Sequence, residues 1–234
     1  SDYIELTVGD SYSDAGATAT DNVDDTVNVT PSGSVDTTTG GFYAITYKAT
    51  DSAGNDATPV VRVVYVGASS GAKSRRGSAR AGGAPDITLL GESSVNHPVG
   101  NDYSDAGATA ADSGRDPDAT VDVVTYGLGD VDTDVLGTYT IIYTATDSDG
   151  NRATPVVRTV TVVDETAPTI VLNGNAAISH PVGNDYTDAS ASVSDNYDNG
   201  LVVTTSGLAS LDVDVLGTYT LTYTVSDTSG NKAT

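Results

Sequence analysis

Apolar and polar side chains alternate with a period of two along most of this chain. In residues 139–146, Tyr139, Ile141, Tyr143 and Ala145 fall on one face and Thr140, Ile142, Thr144 and Thr146 on the other. That pattern predicts a strand with one buried face. Asp147-Ser-Asp-Gly-Asn151 follows, with a glycine free to take positive φ and an aspartate able to bond the turn backbone. A second alternating run, Val156 to Val163, then predicts the return strand of a hairpin. The same hairpin is predicted over residues 43–66. No stretch has helical period.

The late strand and its turn occur three times, from Gly41 to Asn55, Gly137 to Asn151 and Gly217 to Asn231. A second phrase recurs with it: GDSYSDAGATATD, GNDYSDAGATAAD and GNDYTDASASVSD. Tyr43, Tyr139 and Tyr219 are 96 and 80 residues apart, so the repeating unit is a small domain rather than a solenoid turn. Each unit reads as about seven short strands, the pattern of an antiparallel sandwich of immunoglobulin type. Gly-x-Tyr at the head of the late strand has the form of a tyrosine corner. In antibody domains a cysteine stands two residues after that tyrosine. Here the positions hold Ile45, Ile141 and Leu221, and the chain has no cysteine at all. Aliphatic packing is expected where a disulfide would otherwise sit.

These motifs resemble the bacterial surface-protein immunoglobulin-like family, which also occurs in pesticidal crystal proteins and is similar to hyalin-repeat modules. The shared features are the opening in Ala84-Pro-Asp-Ile-Thr-Leu-Leu-Gly91 and Ala167-Pro-Thr-Ile-Val-Leu-Asn-Gly174, and the Tyr-x-Asp-x-Gly-Ala segment. The Gly-Thr-Tyr-x-Ile-x-Tyr strand and the endings Arg62-Val-Val-Tyr-Val66 and Arg158-Thr-Val-Thr-Val162 complete them. The third unit departs at Ser190, where the others have glycine. The resemblance implies all-β, tandem immunoglobulin-like antiparallel β-sandwiches: one over 1–67 lacking its first strand, one complete over 84–164, and one over 165–234 lacking its last. A piece of a longer array is the expected reason, with strand exchange between copies as the other reading. The implied role is that of a spacer in exported proteins.

A linker over 68–83 separates the first two units. It carries Lys73, Arg75, Arg76 and Arg80, four of the ten basic residues, and no acid. It is expected to be a flexible Gly/Ser/Ala tether, with docking on an acidic face and cleavage at Arg75-Arg76 as further readings. The junction before the third unit, Val162 to Pro168, is short and acidic and is expected to be stiffer.

Asp plus Glu number 32 against 10 Lys plus Arg, a net charge of −22. Such a surface repels nucleic acid and anionic membranes and attracts cations. No apolar run approaches the roughly 18–20 residues of a membrane span. His97 and His180 sit in the same repeated phrase, so structural roles are expected of them. No nucleophile elbow or phosphate loop is present, and no enzyme activity is expected.

The candidate chemistry is acidic. The loop after the second strand and the late hairpin turn of an immunoglobulin-type unit meet at one pole. The first unit brings Asp21, Asn22, Asp24, Asp25, Asp51 and Asn55 there; the second brings Asp112, Asp116, Asp118, Asp147, Asp149 and Asn151. In the third unit, Asp195, Asn196, Asp198, Asp227 and Asn231 are joined by Asp164 and Glu165 from the linker. Turn formation alone accounts for many such residues, but oxygen donors in this number also suit Ca²⁺. The expected function is a non-catalytic stalk, adhesive segment or filament subunit at the bacterial cell surface or outside it, stiffened by Ca²⁺. Its expected partners are neighbouring repeats, copies of itself, or a surface or carbohydrate ligand. The alternative is an accessory carbohydrate- or protein-binding region of a secreted enzyme or toxin.

Overall fold

The computed structural model describes residues 3–67, 83–112 and 120–234. Two compact units form, one of Ser1–His97, Tyr103–Asp132 and Gly137–Thr161, the other of Pro98–Asp102, Thr133–Leu136 and Val162–Thr234.

In the first unit, the first repeat contributes β1 (Ile4–Thr7), β2 (Val29–Ser32), β3 (Gly41–Ala49) and β4 (Val60–Gly67). They form one sheet in the order β1-β4-β3-β2. The predicted hairpin is β3–β4, with Tyr43 opposite Val64 and Ile45 opposite Arg62. One pairing departs from the antiparallel expectation: β1 runs parallel to β4. Pro31 lies in β2, which ends the sheet beside β3, an edge position of the kind where proline is tolerated in a sheet.

The second repeat supplies the seven strands expected of it: β5 (Asp86–Leu89), β6 (Ser94–Pro98), β7 (Ala108–Ala111), β8 (Thr120–Val121), β9 (Val123–Tyr126), β10 (Gly137–Ala145) and β11 (Val156–Val163). They make two sheets, β6-β11-β10-β9 and β5-β7-β8. Ile141, Tyr143 and Val160 are fully buried and pack against Ile87, Leu89 and Ala108 from the other sheet. Ala110, Ala145 and Ala153 form a second small cluster. The alternation read in residues 139–146 therefore puts its Tyr/Ile/Ala face in the sandwich core.

The two repeats also touch within this unit. The Phe42 ring lies 4.7 Å from Tyr65 and 5.4 Å from Tyr126, and the Thr46 and Thr140 hydroxyls are 2.7 Å apart. Arg152 stacks on Tyr65 and donates to its hydroxyl at 2.6 Å.

The second unit holds the third repeat, with β12 (Thr169–Leu172), β13 (Ala191–Ser194), β14 (Thr204–Ser206), β15 (Thr222–Ser226) and β16 (Lys232–Ala233). β12 pairs with β13, and β14-β15-β16 form a second sheet.

The core of each repeat is tied by polar groups that the strand pattern does not reveal. Arg158, on β11, has a side chain 1% exposed, and its partner Asp105 is 6% exposed. All five guanidinium N–H groups find acceptors. Nη1 donates to Asp105 and to the Tyr143 hydroxyl, Nε to Glu92 O, and Nη2 to Leu90 O and Gly107 O. Tyr143 donates in turn to the Asp105 carboxylate at 2.8 Å. The first repeat makes the same figure from Arg62, Asp14, Tyr47 and Gly16 O, but with its ion pair 26% exposed. In the third, Tyr223 donates to Asp188 at 2.6 Å. Tyrosine corners also form: Tyr43 bonds Thr39 O at 2.8 Å and Tyr219 bonds Val215 O at 3.1 Å.

These contacts set the ionisation of the core. Burial pushes the Asp105 carboxyl up, but hydrogen bonds from Tyr143 and Arg158, with the Arg158 charge, hold it below the ordinary carboxylate value. Burial and the Asp14 carboxylate push Tyr47 up to about 12. The hydrogen bond to Asp188, with burial, pushes Tyr223 to about 12.

Ser190 has φ of 63°, matching Gly16 at 73° and Gly107 at 78°. The turn conformation is kept in the third repeat although the residue best suited to it is gone. A left-handed non-glycine residue costs about 1–2 kcal/mol, partly offset because glycine loses more chain entropy on folding.

Ser190→Gly is therefore expected to stabilise the third repeat by roughly 0.5–1 kcal/mol, read as a shift in denaturant midpoint. Arg158→Ala leaves a buried carboxylate unpaired and is expected to cost about 3–5 kcal/mol. Arg62→Ala, at a wetter site, is expected to cost roughly 1 kcal/mol; equal losses would contradict the assignment. Thermal melts against pH provide a further check. The depressed Asp105 contributes stability above about pH 4, its unfolded value, that is lost as pH falls through its folded value. The raised tyrosines contribute stability below about pH 10 that is lost as pH rises from there towards 12.

Candidate metal centre

Each late hairpin closes on the same aspartate-capped turn. Asp51, Asp147 and Asp227 each accept from the backbone N–H of the asparagine four residues on, at 2.7 Å. They also accept from its side-chain amide at 2.7–2.8 Å. The aspartate thereby satisfies donors that a tight turn leaves open. Asp21, between β1 and β2, accepts from Val23 N and Asp24 N, and Asp195, directly after β13, from Tyr197 N and Asp198 N, at 2.8–2.9 Å. Those backbone bonds, Asp24 and Asp198 first, hold both carboxyls below their ordinary value.

A third aspartate clasps the two loops together. Asp24 accepts from Ser52 N and Oγ at 2.8 Å. Asp198 accepts from Thr228 N at 2.7 Å and from its hydroxyl. Once the turns form, convergence of the acids is a geometric consequence.

In the third repeat the convergence includes the incoming chain. Asp164, Asp195, Asp198 and Asp227 offer carboxylate oxygens that all lie within 4.8 Å of one another. Asp164 is 7% exposed and Asp227 8%. Asp164 Oδ1 accepts from Thr166 N at 3.1 Å, and its carbonyl accepts from the Asn231 amide at 3.0 Å. Asp164 Oδ2 and Asp195 Oδ1 are buried with no hydrogen-bond partner. Two carboxylates about 4–5 Å apart repel by roughly 3–4 kcal/mol at an effective dielectric near 20. A cluster of four has several such pairs.

Among the other sequence candidates, Glu165 is exposed and lies outside this group. Asn231 touches it as a donor, orienting Asp227 and the Asp164 carbonyl. In the first repeat Asp21, Asp24 and Asp51 come together, all half-buried. In the second, Asp147 is 8% exposed, while Asp116 and Asp118 lie outside the described residues. The basic residues Lys73, Arg75, Arg76 and Arg80 lie outside them as well.

The histidines pack against tyrosine. His97 meets Tyr103 edge-on at 5.3 Å and His180 meets Tyr186 at 5.5 Å. His180 Nε2 is also 3.0 Å from Asn184 O. Sequence reasoning missed the Asp105–Tyr143–Arg158 core. Its signal was present in the Asp, Tyr and Arg that recur at matching places in the repeats.

Part of the chain is similar to Internalin I of Listeria monocytogenes serotype 4b (strain F2365), with 34% identity over 134 residues. The match covers 57% of this chain and only 7% of that protein. Among solved structures, a lipoprotein from Bacteroides thetaiotaomicron aligns with TM-score 0.28 and 22% identity, covering 38% of this chain and 46% of that one. A Bacteroides ovatus protein, SGBP-B of a mixed-linkage glucan utilization locus in complex with a mixed-linkage heptasaccharide, aligns with TM-score 0.14 and 14% identity, covering 82% and 49%. Neither alignment is close enough to carry an argument. No described helix is long and apolar enough to cross a membrane. The family model "Bacterial surface protein, Ig-like domain" matches residues 1–66, 87–162 and 170–234, and with three matches spread over most of its length the chain belongs to that family.

Proposed function

We propose that this chain is a non-catalytic structural and adhesive-type segment of an extracellular bacterial surface protein, a stalk or filament section whose stiffness depends on a divalent cation. The observation that carries the reading is the threefold use of one unit with one set of internal ties. The Asp–Tyr core pair and the aspartate-capped hairpin turn recur in all three repeats. Repetition of the scaffold, rather than a chemistry confined to one repeat, is what a spacer needs. The family match and the similarity to part of Internalin I support a place at the cell surface.

The alternative of an accessory carbohydrate-binding region needs a flat aromatic platform. The aromatic cluster of Tyr3, Phe42, Tyr65 and Tyr126 is tilted instead, with interplanar angles of 40–85°. Those rings pack on one another and are spent between strands.

Pulled by its ends in a force-spectroscopy experiment, the chain is expected to unfold repeat by repeat, with at least two separate ruptures. Extension without resolved ruptures would count against a mechanical role. On a glycan array the same chain is expected to show no specific binding, and a saturable glycan signal would favour the accessory-module reading.

A further inference from the structure

We infer that the acidic cluster of the third repeat is a Ca²⁺ site, and that Asp164, from the junction before that repeat, is the ligand that completes it. The inference deepens the stiffened-segment reading and rests on it for its biological consequence, though not for the binding itself.

Acidic side chains close together are common on a surface of net charge −22 and by themselves indicate nothing. Two features set this cluster apart. First, it is partly interior: Asp164 and Asp227 are more than nine-tenths buried, where an ionised carboxylate requires a counter-charge or a full set of donors. Second, the donors present leave specific oxygens over. Thr166, Tyr197, Asp198, Thr228 and Asn231 supply hydrogen bonds to the four carboxylates. Asp164 Oδ2 and Asp195 Oδ1 receive none, although both are buried. Buried polar atoms in native structures are almost always partnered. Here both orphans belong to the residues whose ligand oxygens gather within 4.8 Å.

The donor set selects the cation. It is all hard oxygen, the protein has no cysteine, and both histidines are engaged with tyrosines. That disfavours the softer transition metals. Four carboxylates, some able to bind through both oxygens, suit the high and irregular coordination number of Ca²⁺. Mg²⁺ demands an octahedron and keeps its water. In the first repeat Asp21, Asp24 and Asp51 gather in the same way, half-buried and with no fourth member among the described residues. The fourth ligand comes from the residue directly after β11, whose bounds are Val156–Val163. A cation bound there ties the junction to the loops of the third repeat, with the Asn231–Asp164 hydrogen bond as the scaffold for that tie.

The test is calorimetry of the intact 234-residue chain, freed of metal by chelator and titrated with CaCl₂ or MgCl₂, alongside amide hydrogen exchange. One Ca²⁺ site is expected with affinity at least in the range of extracellular modules, about 10⁻⁴–10⁻³ M, and with Mg²⁺ at least tenfold weaker. Asp164→Asn and Asp195→Asn are each expected to weaken Ca²⁺ at least tenfold, and Glu165→Gln, on the exposed neighbour, to leave it unchanged. Ca²⁺ is expected to slow exchange of the Thr166, Thr228 and Asn231 amides. Circular dichroism in chelator reports whether each variant folds; if Asp164→Asn does not, Asp195→Asn decides. Absence of Ca²⁺ binding, equal affinity for Mg²⁺, or equal losses from Glu165→Gln and Asp164→Asn would overturn the site. Binding with no slowing of those amides would overturn the tie. Neither result depends on the force or glycan measurements, so failure of the surface-segment reading remains separately visible.

Discussion

A guanidinium buried between two sheets organises the second repeat. Arg158 reaches from β11 to the Asp105 carboxylate, the Tyr143 hydroxyl and three backbone carbonyls. A charge this deep is tolerated only because every donor has an acceptor and the counter-charge is equally buried. The network constrains strand position more tightly than aliphatic packing does. A strand slipped by one residue would turn the arginine outwards and leave Asp105 alone in the core. In a protein without disulfides, this is the group that joins the Tyr-x-Asp segment, the late strand and the last strand into one register.

The same figure explains why tyrosine outnumbers every other aromatic residue here. Tyr47, Tyr143 and Tyr223 each fill core volume with the ring and satisfy a carboxylate with the hydroxyl. Phenylalanine would do only the first. Tyr43 and Tyr219 use their hydroxyls on backbone carbonyls instead. The two kinds of tyrosine lie four residues apart, both on β3 in the first repeat and with Tyr219 just ahead of β15 in the third, one fastening the chain to itself and the other closing the core.

At the acidic pole a local requirement creates a collective one. Each aspartate is placed by its own turn, whether capping a hairpin, closing an Asx turn or clasping two loops. Their convergence follows from the meeting of those loops at one end of the sandwich. Where a short junction delivers Asp164, two carboxylate oxygens are left without donors. In the first repeat the corresponding acids remain half in water, where their repulsion is screened.

By itself the sequence determined the architecture. The period-two alternation marked Ile141, Tyr143 and Ala145 as inward residues, the repeated Gly-Asn turns marked the hairpins, and the tyrosine corner was legible in Gly-x-Tyr. These features rest on local geometry, in which a strand has two faces and a turn needs positive φ, so neighbouring residues suffice to show them. The acids of the third repeat were legible as a set because strand order in an immunoglobulin-type sandwich brings their loops together. The sequence did not separate Asp164 from Glu165, since adjacent acids in a linker differ only in the direction each side chain takes. Tertiary structure decided that, burying one and exposing the other. It also decided that Arg158 lies inside rather than on the surface, because the 53 residues separating it from Asp105 are bridged only when the two sheets close. It kept Ser190 in a glycine's conformation, because the surrounding turn fixes the backbone more strongly than one residue's preference can oppose.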